Sequence, residues 1–443
     1  MILKNVFLLV LSSTVISTAY ASVDAKTYAK LNTQAKGKIQ NAKINMDALL
    51  SNSSNDLIVE LEQPESLATL GVPVRERAAA GKSAFKKQYA TAKGLTVLRD
   101  YNALPITTYR IQNQDTLIQL LNDPQVKAVY PNRINTQTAA DVESLPLIRQ
   151  PQAVAAGFTG EGASVVIADT GLDHTHADFG SCTAVGVPAT TCRVIQNFDT
   201  AANDNALDGG SSKHGTNVSG VVANTAPKIK LIGIDVFTGT GAYDSDIIAA
   251  INWSINNAAT YNIKAINLSL GYAGVRYTSE CTSSAYRQVF ANARAAGVAP
   301  VVAAGNDGFS TGVSAPACTP GAVRVGAVYD SNMGRMAWGT CTDTTTAADK
   351  PTCFSNGGRL LTLFAPGSQI NAAGITQSGT SQAAPHVAAL LGALRSPNVT
   401  PVLTIDSAIS RLQTTGKAVR DTRNNVTTSR VDFFAATSGL TAQ

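Results

Sequence analysis

The stretch Gly379-Thr380-Ser381-Gln382-Ala383-Ala384-Pro385-His386-Val387-Ala388 decides how the rest of the chain is read. Gly379 and Thr380 make a small-residue turn, and the apolar run from Ala383 to Leu394 reads as a buried helix. Ser381 therefore stands where a turn becomes a helix. The first backbone N–H groups of a helix have no partner inside it, and the helix dipole puts positive charge there. A hydroxyl so placed suits a nucleophile whose attack produces an oxyanion. The stretch becomes catalytic only if the remaining chain brings a base, a carboxylate to orient that base, and a second oxyanion donor.

Three other short stretches bring those groups. Asp169 ends the run Val165-Val166-Ile167-Ala168 and precedes Thr170-Gly171. Catalytic groups in open parallel sheets gather at the carboxyl ends of strands, although an Asp in that place also commonly caps a turn. His214 lies in Lys213-His214-Gly215-Thr216-Asn217-Val218-Ser219-Gly220, entering an apolar helix, and the chain has only 4 histidines. Few bases compete with it. Asn306 lies in Val301-Val302-Ala303-Ala304-Gly305-Asn306-Asp307-Gly308, a strand running into a tight turn. Its side-chain NH₂ can donate to a developing oxyanion, and the same residue type also serves plain turns.

Together these motifs resemble the subtilisin family of serine proteases, whose chain order is Asp, His, then Ser. The resemblance covers residues 145–436, including Arg430-Val431-Asp432. It implies an α/β, subtilisin-like three-layer fold with a mostly parallel central sheet. It also implies that Ser381 Oγ attacks the scissile carbonyl, that His214 takes its proton and later protonates the leaving amine, and that Asp169 holds the imidazole tautomer. The Ser381 N–H and the Asn306 amide would bind the oxyanion. Gly239-Thr240-Gly241 and Ser269-Leu270-Gly271 resemble the two segments that pair with an extended peptide as added strands, with Ala304 and Gly305 in the wall of the primary pocket. Main-chain pairing of that kind gives affinity with little regard to side chains.

The chain departs from the family pattern in several places. Asn217 stands where a histidine is usual after His-Gly-Thr, and Ser219 where alanine is usual. Tyr272 replaces the small residue after Ser-Leu-Gly, where it would either narrow the pocket or turn to solvent. Gln382 replaces the methionine beside the nucleophile, which predicts a peroxide-tolerant site because thioethers oxidise to sulfoxides. Val222-Ala223-Asn224-Thr225-Ala226-Pro227 is too short for the calcium-binding insertion of many relatives. Asp199, Asp204, Asn205 and Asp208 form an oxygen-rich loop in which weak calcium binding is conceivable and a solvated acidic loop more usual. His174 and His176 flank Asp173 and Asp178, but His176 matches a family position that is not a ligand, so no metal site is assigned. His386 matches a structural family position. No cofactor is required.

Working outward, residues 141–443 alternate apolar runs with helical patterns, as a parallel α/β sheet requires. Strands are predicted over Ala163–Ala168, Lys230–Val236, Lys264–Leu270, Val298–Ala304 and Ala322–Val328. Helices are predicted over Asn217–Ala223, Ser245–Asn257, Ala285–Ala296, Gln382–Leu394 and Ile405–Leu412. Gly- and Thr-rich stretches at 271–281, 308–320 and 339–358 read as surface loops. Residues 56–140 carry a β-α-β-β-α-β order: Leu57–Leu61, Val74–Ala92, Leu95–Leu98, Ile106–Ile111, Thr116–Leu121 and Val126–Tyr130. That order is a ferredoxin-like α+β module, and it resembles the subtilisin propeptide, an inhibitor and folding assistant. Residues 22–55 read as a linker with one weak helix. Residues 1–21 read as a signal peptide, with Lys4, a short apolar region and Ala19-Tyr20-Ala21 as a cleavage site.

Bulk properties narrow the partners. Residues 22–140 carry 15 Lys+Arg against 10 Asp+Glu, and residues 141–443 carry 19 against 20. The net charge of +5 thus belongs to the front module and the signal segment, and no basic patch suggests nucleic acid. No later stretch reaches membrane-spanning length. Six cysteines in an exported chain favour disulfides over metal. Six allow fifteen full pairings. Cys182 with Cys192 and Cys341 with Cys353 would close short loops and leave Cys281 with Cys318, while buried thiols are the alternative. The expected molecule is a secreted, monomeric serine endopeptidase acting on proteins or peptides. It is made as a precursor that cuts itself near residues 133–145 and is inhibited by its own propeptide. A catalytically silent binding protein would need a lost triad or oxyanion residue, and none is lost. An α/β-hydrolase esterase would need Gly-x-Ser-x-Gly and the order Ser, Asp, His, which are absent.

Overall fold

The computed structural model describes residues 30–41, 56–63, 72–89, 94–111, 114–132, 134–135, 144–204, 207–209 and 212–443. The expected signal peptide, most of residues 22–55 and residues 136–143 of the expected cleavage region lie outside them.

Nine strands form the main sheet. In chain order its strands and the helices that matter here are β5 Ser164–Asp169, β6 Val194–Asp199, α3 His214–Thr225, β7 Lys230–Asp235, α4 Asp244–Asn257, β8 Ile263–Leu268, α5 Tyr286–Ala295, β9 Ala299–Ala303, β10 Val323–Val328, β11 Leu363–Pro366, α6 Thr380–Leu394, α7 Ile405–Thr415, β12 Lys417–Asp421 and β13 Val426–Arg430. The spatial order is β12-β13-β11-β10-β9-β8-β5-β7-β6. All neighbours are parallel except the β12–β13 hairpin. Side chains alternate across each strand. Val165 and Ile167 therefore join one core with Val218, Val222, Val387 and Leu391 of α3 and α6. Val166 and Ala168 join the other with Ile248, Ile251, Val289 and Phe290 of α4 and α5. Burial on both faces is why these strands read as unbroken apolar runs, and three layers result.

The five predicted strands appear within a residue or two of their expected ends. β6, β11, β12 and β13 were not predicted. β6 is an edge strand, Val-Ile-Gln-Asn-Phe-Asp, mostly half-buried, so it lacks the apolar signal of the central strands.

The stretches 308–320 and 339–358, expected at the surface, are in part interior. Residues 312–319 and 354–358 are buried. Their backbone is satisfied internally: Gly312 N–H donates to Gly357 O, Asn356 N–H to Gly305 O, and Ser314 N–H to Ala304 O at 2.9 Å. Composition sees Gly and Thr there but not these partners. The disulfides are Cys182–Cys192, Cys281–Cys318 and Cys341–Cys353. The second ties one buried loop to the segment before α5.

The front segment forms a four-stranded antiparallel sheet, with β1 Asp56–Leu61, α1 Val74–Tyr89, β2 Leu95–Asp100, β3 Ile106–Ile111, α2 Gln114–Asn122 and β4 Val126–Pro131 in the order β2-β3-β1-β4. The weak helix expected in the linker is Thr33–Asn41, but its surroundings are not those of a linker. Leu31 and Ala35 are buried in the module's core, and Asn32 N–H donates to Asn122 Oδ1 at 2.8 Å. Two apolar residues four apart are enough for one buried stripe, yet too few to register as a periodic signal.

Candidate active site

Asp169 is the last residue of β5 and His214 the first of α3. Both are fully buried, with 2.7 Å between His214 Nδ1 and Asp169 Oδ1. That separation needs the start of α3 to press against the end of β5. A Cβ on Gly215 would lie 2.1 Å from Gly171 O, so only glycine fits after the histidine. Asp169 Oδ1 also accepts from the Thr170 N–H at 2.8 Å, which holds the carboxylate toward the ring.

Asp208, expected in the solvated acidic loop, stands instead behind this pair. It is buried; its Oδ1 accepts from Thr170 Oγ1 at 2.9 Å, and its Oδ2 from the Thr216 N–H at 2.9 Å and Thr216 Oγ1 at 2.5 Å. Burial raises its carboxyl above the ordinary value, the two threonines pull it back, and Asp169 nearby pushes it up again. With both oxygens engaged by threonines on either side of the Asp169–His214 contact, Asp208 serves as a clamp for the site and has little left for calcium. Asn205 lies outside the described residues. Among the described residues no group of three or more His, Cys, Asp or Glu is disposed to hold a metal. Asp235, beside Asp169 in the sheet register, is pushed up to about 7, mainly by burial and further by Asp199 and Asp169.

Ser381 is the second residue of α6 and only 2 % exposed. Pro385 sits inside this helix and has no N–H to give to the carbonyl four residues back, which is that of Ser381. Ser269 supplies the missing donor: its Oγ–H donates to Ser381 O at 2.6 Å, while Ser381 Oγ–H donates to Ser269 O at 3.2 Å. Ser269, expected along the substrate edge, thus buttresses the nucleophile from the end of β8. The expected helix start at Gln382 moves back to Thr380, which puts Ser381 inside the first turn.

Asn306 is oriented by the same turn. Its Oδ1 accepts from the Thr380 N–H at 2.8 Å and lies 3.0 Å from Thr380 Oγ1. With that end engaged, the NH₂ end faces away from Thr380. Gly305 precedes it at φ +104°, and a Cβ there would lie 2.3 Å from Asn356 Nδ2, so this bend too requires glycine. A cleft of about 200 Å³ opens beside these groups, lined among others by Leu270, Gly271, Tyr272, Gly305, Asn306 and Ser381. Ala304 does not line it; it is fully buried, and its carbonyl accepts from Asn356 Nδ2 at 3.1 Å. Tyr272 lines the cleft and does not turn to solvent. It is 9 % exposed, and its hydroxyl donates to Asp244 Oδ2 at 2.5 Å. Thr340 and Asp307 also line the cleft and were not anticipated, because each lies in a loop whose sequence carries no period.

Gly239 and Thr240 make the turn between Phe237–Thr238 and Gly241–Tyr243, and Gly241 begins the middle strand of a three-stranded sheet. The other edge of that strand pairs antiparallel with Ile134–Asn135, with Ala242 opposite Asn135 and Tyr243 opposite Ile134. The residues that pair with this part of the front segment are thus Ala242 and Tyr243 rather than the expected Gly239, Thr240 and Gly241.

His386 lies five residues beyond Ser381 on α6 and is wholly buried. Its Nδ1–H donates to Gln382 O at 2.8 Å, so Nε2 accepts from Ser144 Oγ at 2.6 Å. Burial holds it down at about 4, neutral over the working range. His176 Nδ1 accepts from the Asp178 N–H at 3.3 Å, and no metal cluster forms around it among the described residues.

Comparison with known proteins bears on the family and the fold. The Subtilase family model matches residues 160–428. The chain is similar to Subtilisin-like protease 1 of Trichophyton verrucosum, 31 % identical over 326 residues, covering 68 % of this chain and 72 % of that protein. It is also similar to Subtilisin E of Bacillus subtilis, 29 % identical over 365 residues, covering 78 % and 84 %. Among solved structures, fervidolysin from Fervidobacterium pennivorans, a keratinolytic enzyme related to subtilisin, superposes with a TM-score of 0.59 at 18 % identity, covering 87 % of this chain and 61 % of its own. That likeness establishes a shared fold. The chain belongs to the subtilase family of subtilisin-like serine endopeptidases.

Proposed function

We propose that this protein is an exported endopeptidase that hydrolyses peptide bonds through Asp169, His214 and Ser381. The observation that carries the reading is the fully buried contact of 2.7 Å between His214 Nδ1 and Asp169 Oδ1. Nδ1 bears the proton toward the carboxylate, so Nε2 is the basic nitrogen. It would take the Ser381 proton as Oγ attacks the scissile carbonyl, and Asp169 stabilises the imidazolium formed. The tetrahedral oxyanion would be met by the Ser381 N–H and the Asn306 amide. Collapse expels the amine with the proton from Nε2 and leaves an acyl-enzyme, which water then hydrolyses by the same steps in reverse.

We further propose that residues 1–21 are removed on export, that 56–140 act as an intramolecular inhibitor and folding assistant, with 22–55 leading into it, and that 141–443 are the peptidase, acting as a monomer. The three disulfides suit an oxidising compartment, and no helix among the described residues is long and apolar enough to cross a membrane. The front module rests on the start of α4: Arg99 Nη2 donates to Thr200 O at 2.7 Å and pairs with Asp246 Oδ1 at 3.0 Å, and Asn132 Oδ1 accepts from the Ser245 N–H at 2.7 Å. Together with Ile134–Asn135 on the Gly241–Tyr243 edge, this suits a bound product. No cofactor is required, and any calcium would be weakly held.

Expression of Ser381→Ala should yield an uncleaved precursor. Normal maturation of that purified variant would show that the chain does not process itself. Failure of the intact wild-type enzyme to label at Ser381 with a serine-directed fluorophosphonate would favour a silent binding protein.

A further inference from the structure

His214 and Ser381 stand on helices that lie side by side, and a line of buried side-chain amides joins the two helices next to the reacting groups. Asn217, three residues after His214, is fully buried. Its Nδ2 lies 2.8 Å from Ile375 O, 3.3 Å from Ile370 O and 3.4 Å from Ala372 O, carbonyls of the hairpin formed by Ile370–Ala372 and Ile375–Gln377. With its donor end committed to that hairpin, Asn217 presents Oδ1 to α6. There Gln382 Nε2 donates to it at 3.1 Å. Gln382 Nε2 is also 3.5 Å from Gln377 Oε1, and Gln377 Nε2 donates to Ser212 O at 2.7 Å. The line of amides thus leaves the backbone two residues before His214, passes through the residue beside Ser381, and returns to the helix three residues after His214.

This arrangement has a cost that shape alone does not explain. Asn217 cannot be turned over without facing its oxygen to three carbonyls, so Gln382 must offer its NH₂ to Oδ1. Gln382 Oε1 is then left buried without a hydrogen-bond partner among the described residues. A buried acceptor without a donor is destabilising, and a methionine or leucine of similar volume would avoid the loss. An amide at 382 therefore makes sense only with the amide at 217. The two amides, 165 residues apart, are halves of one contact.

We propose that Asn217 and Gln382 are a coupled positioning pair whose hydrogen bond sets the approach of the His214 imidazole to the Ser381 hydroxyl. The proposal rests on the reading of His214 as base and Ser381 as nucleophile. The amides bond to each other and to the hairpin, and act through the helices that carry His214 and Ser381. Being neutral at all working pH values, they hold the two helices in one relation whatever the charge on His214.

The test is a double-mutant cycle on the full-length precursor after maturation: wild type, Asn217→Ala, Gln382→Leu and both together. Enzyme concentration is set by fluorophosphonate titration, and kcat and KM are measured on a peptide substrate. Each single change should lower kcat at least tenfold per titrated site with KM within twofold. The double variant should lose no more than the worse single, because the second change removes a partner already lost. Losses that multiply, or a change confined to KM, would overturn the pair while leaving the nucleophile and base intact. A wild type that neither labels nor hydrolyses would instead overturn the underlying catalytic reading. If Gln382→Leu does not mature, Gln382→Met takes its place in the cycle and is read by the same two criteria.

Discussion

The buried histidine on the nucleophile's own helix supports a quantitative prediction. His386 is inaccessible to solvent, its Nδ1–H is committed to Gln382 O, and its Nε2 accepts from Ser144. Protonation would place a hydrogen against the Ser144 hydroxyl and a charge where no water reaches. Burial accordingly lowers its pKa from 6.5 to about 4. The sign follows from proton counting. Between these values the unfolded chain binds a proton at this position and the folded one does not, so acid favours unfolding. The stabilising contribution is complete above pH 6.5, declines by about 1.4 kcal/mol per pH unit below it, and is exhausted near pH 4, for a total of about 3 kcal/mol. Asp235, raised to about 7, acts in the opposite sense over the same range: its folded form binds the proton more tightly, so its contribution grows as pH falls. The two must be separated. Denaturant midpoints of the Ser381→Ala precursor, which cannot digest itself, should be measured from pH 7.5 to 4 with and without His386→Gln. Carboxylate effects are common to both chains and cancel in the difference. The stability gap between them should shrink by about 3 kcal/mol on acidification. A gap constant with pH would refute the assignment of a buried neutral imidazole.

Asn306→Ala should reduce kcat roughly 10²–10³-fold with little change in KM, a barrier increase of about 2.7–4 kcal/mol carried over from relatives, because Asn306 has its Oδ1 tied to Thr380 and its NH₂ facing away; equal losses in KM and kcat would argue for a different role. Residual activity after dilute peroxide should remain high, since Gln382 carries no thioether, and Gln382→Met should make the enzyme peroxide-sensitive, with sulfoxide at 382 by mass spectrometry. Arg99→Ala removes an ion pair with Asp246 and two carbonyl contacts, and hydrogen bonds to a charged group contribute about 1.5–3 kcal/mol. The front module should therefore co-elute with the matured enzyme roughly tenfold or more less tightly, and unchanged retention would count against this contact as an anchor.

Legibility differed sharply between kinds of feature. The strand ends at Asp169 and Ala303 were readable because burial on both faces leaves unbroken apolar runs, and the helices of His214 and Ser381 because their small residues and glycines are dictated by close approach. Gly215 is the plain case: nothing larger fits against Gly171. The edge strand Val194–Asp199 and the hairpin Lys417–Asp421 with Val426–Arg430 were not readable. Half-exposed strands owe their state to a neighbour's backbone rather than to their own pattern. The buried loops at 312–319 and 354–358 misled in the opposite direction, since Gly- and Thr-rich sequence looks solvated until its internal hydrogen bonds are seen.

The chemistry proposed for the site was legible at the level of sequence, because a nucleophile, a base, a carboxylate and an oxyanion donor each need a particular functional group at a strand end or helix start. How those groups are held was decided only in three dimensions. Ser269 replaces the N–H that Pro385 lacks, Asp208 clamps the two threonines beside the Asp169–His214 pair, and Asn217 meets Gln382 across 165 residues of chain. Such supports are hydrogen bonds between residues far apart in sequence. They have no period and no local composition to announce them, and they exist only once the sheet has brought its strand ends and helices together.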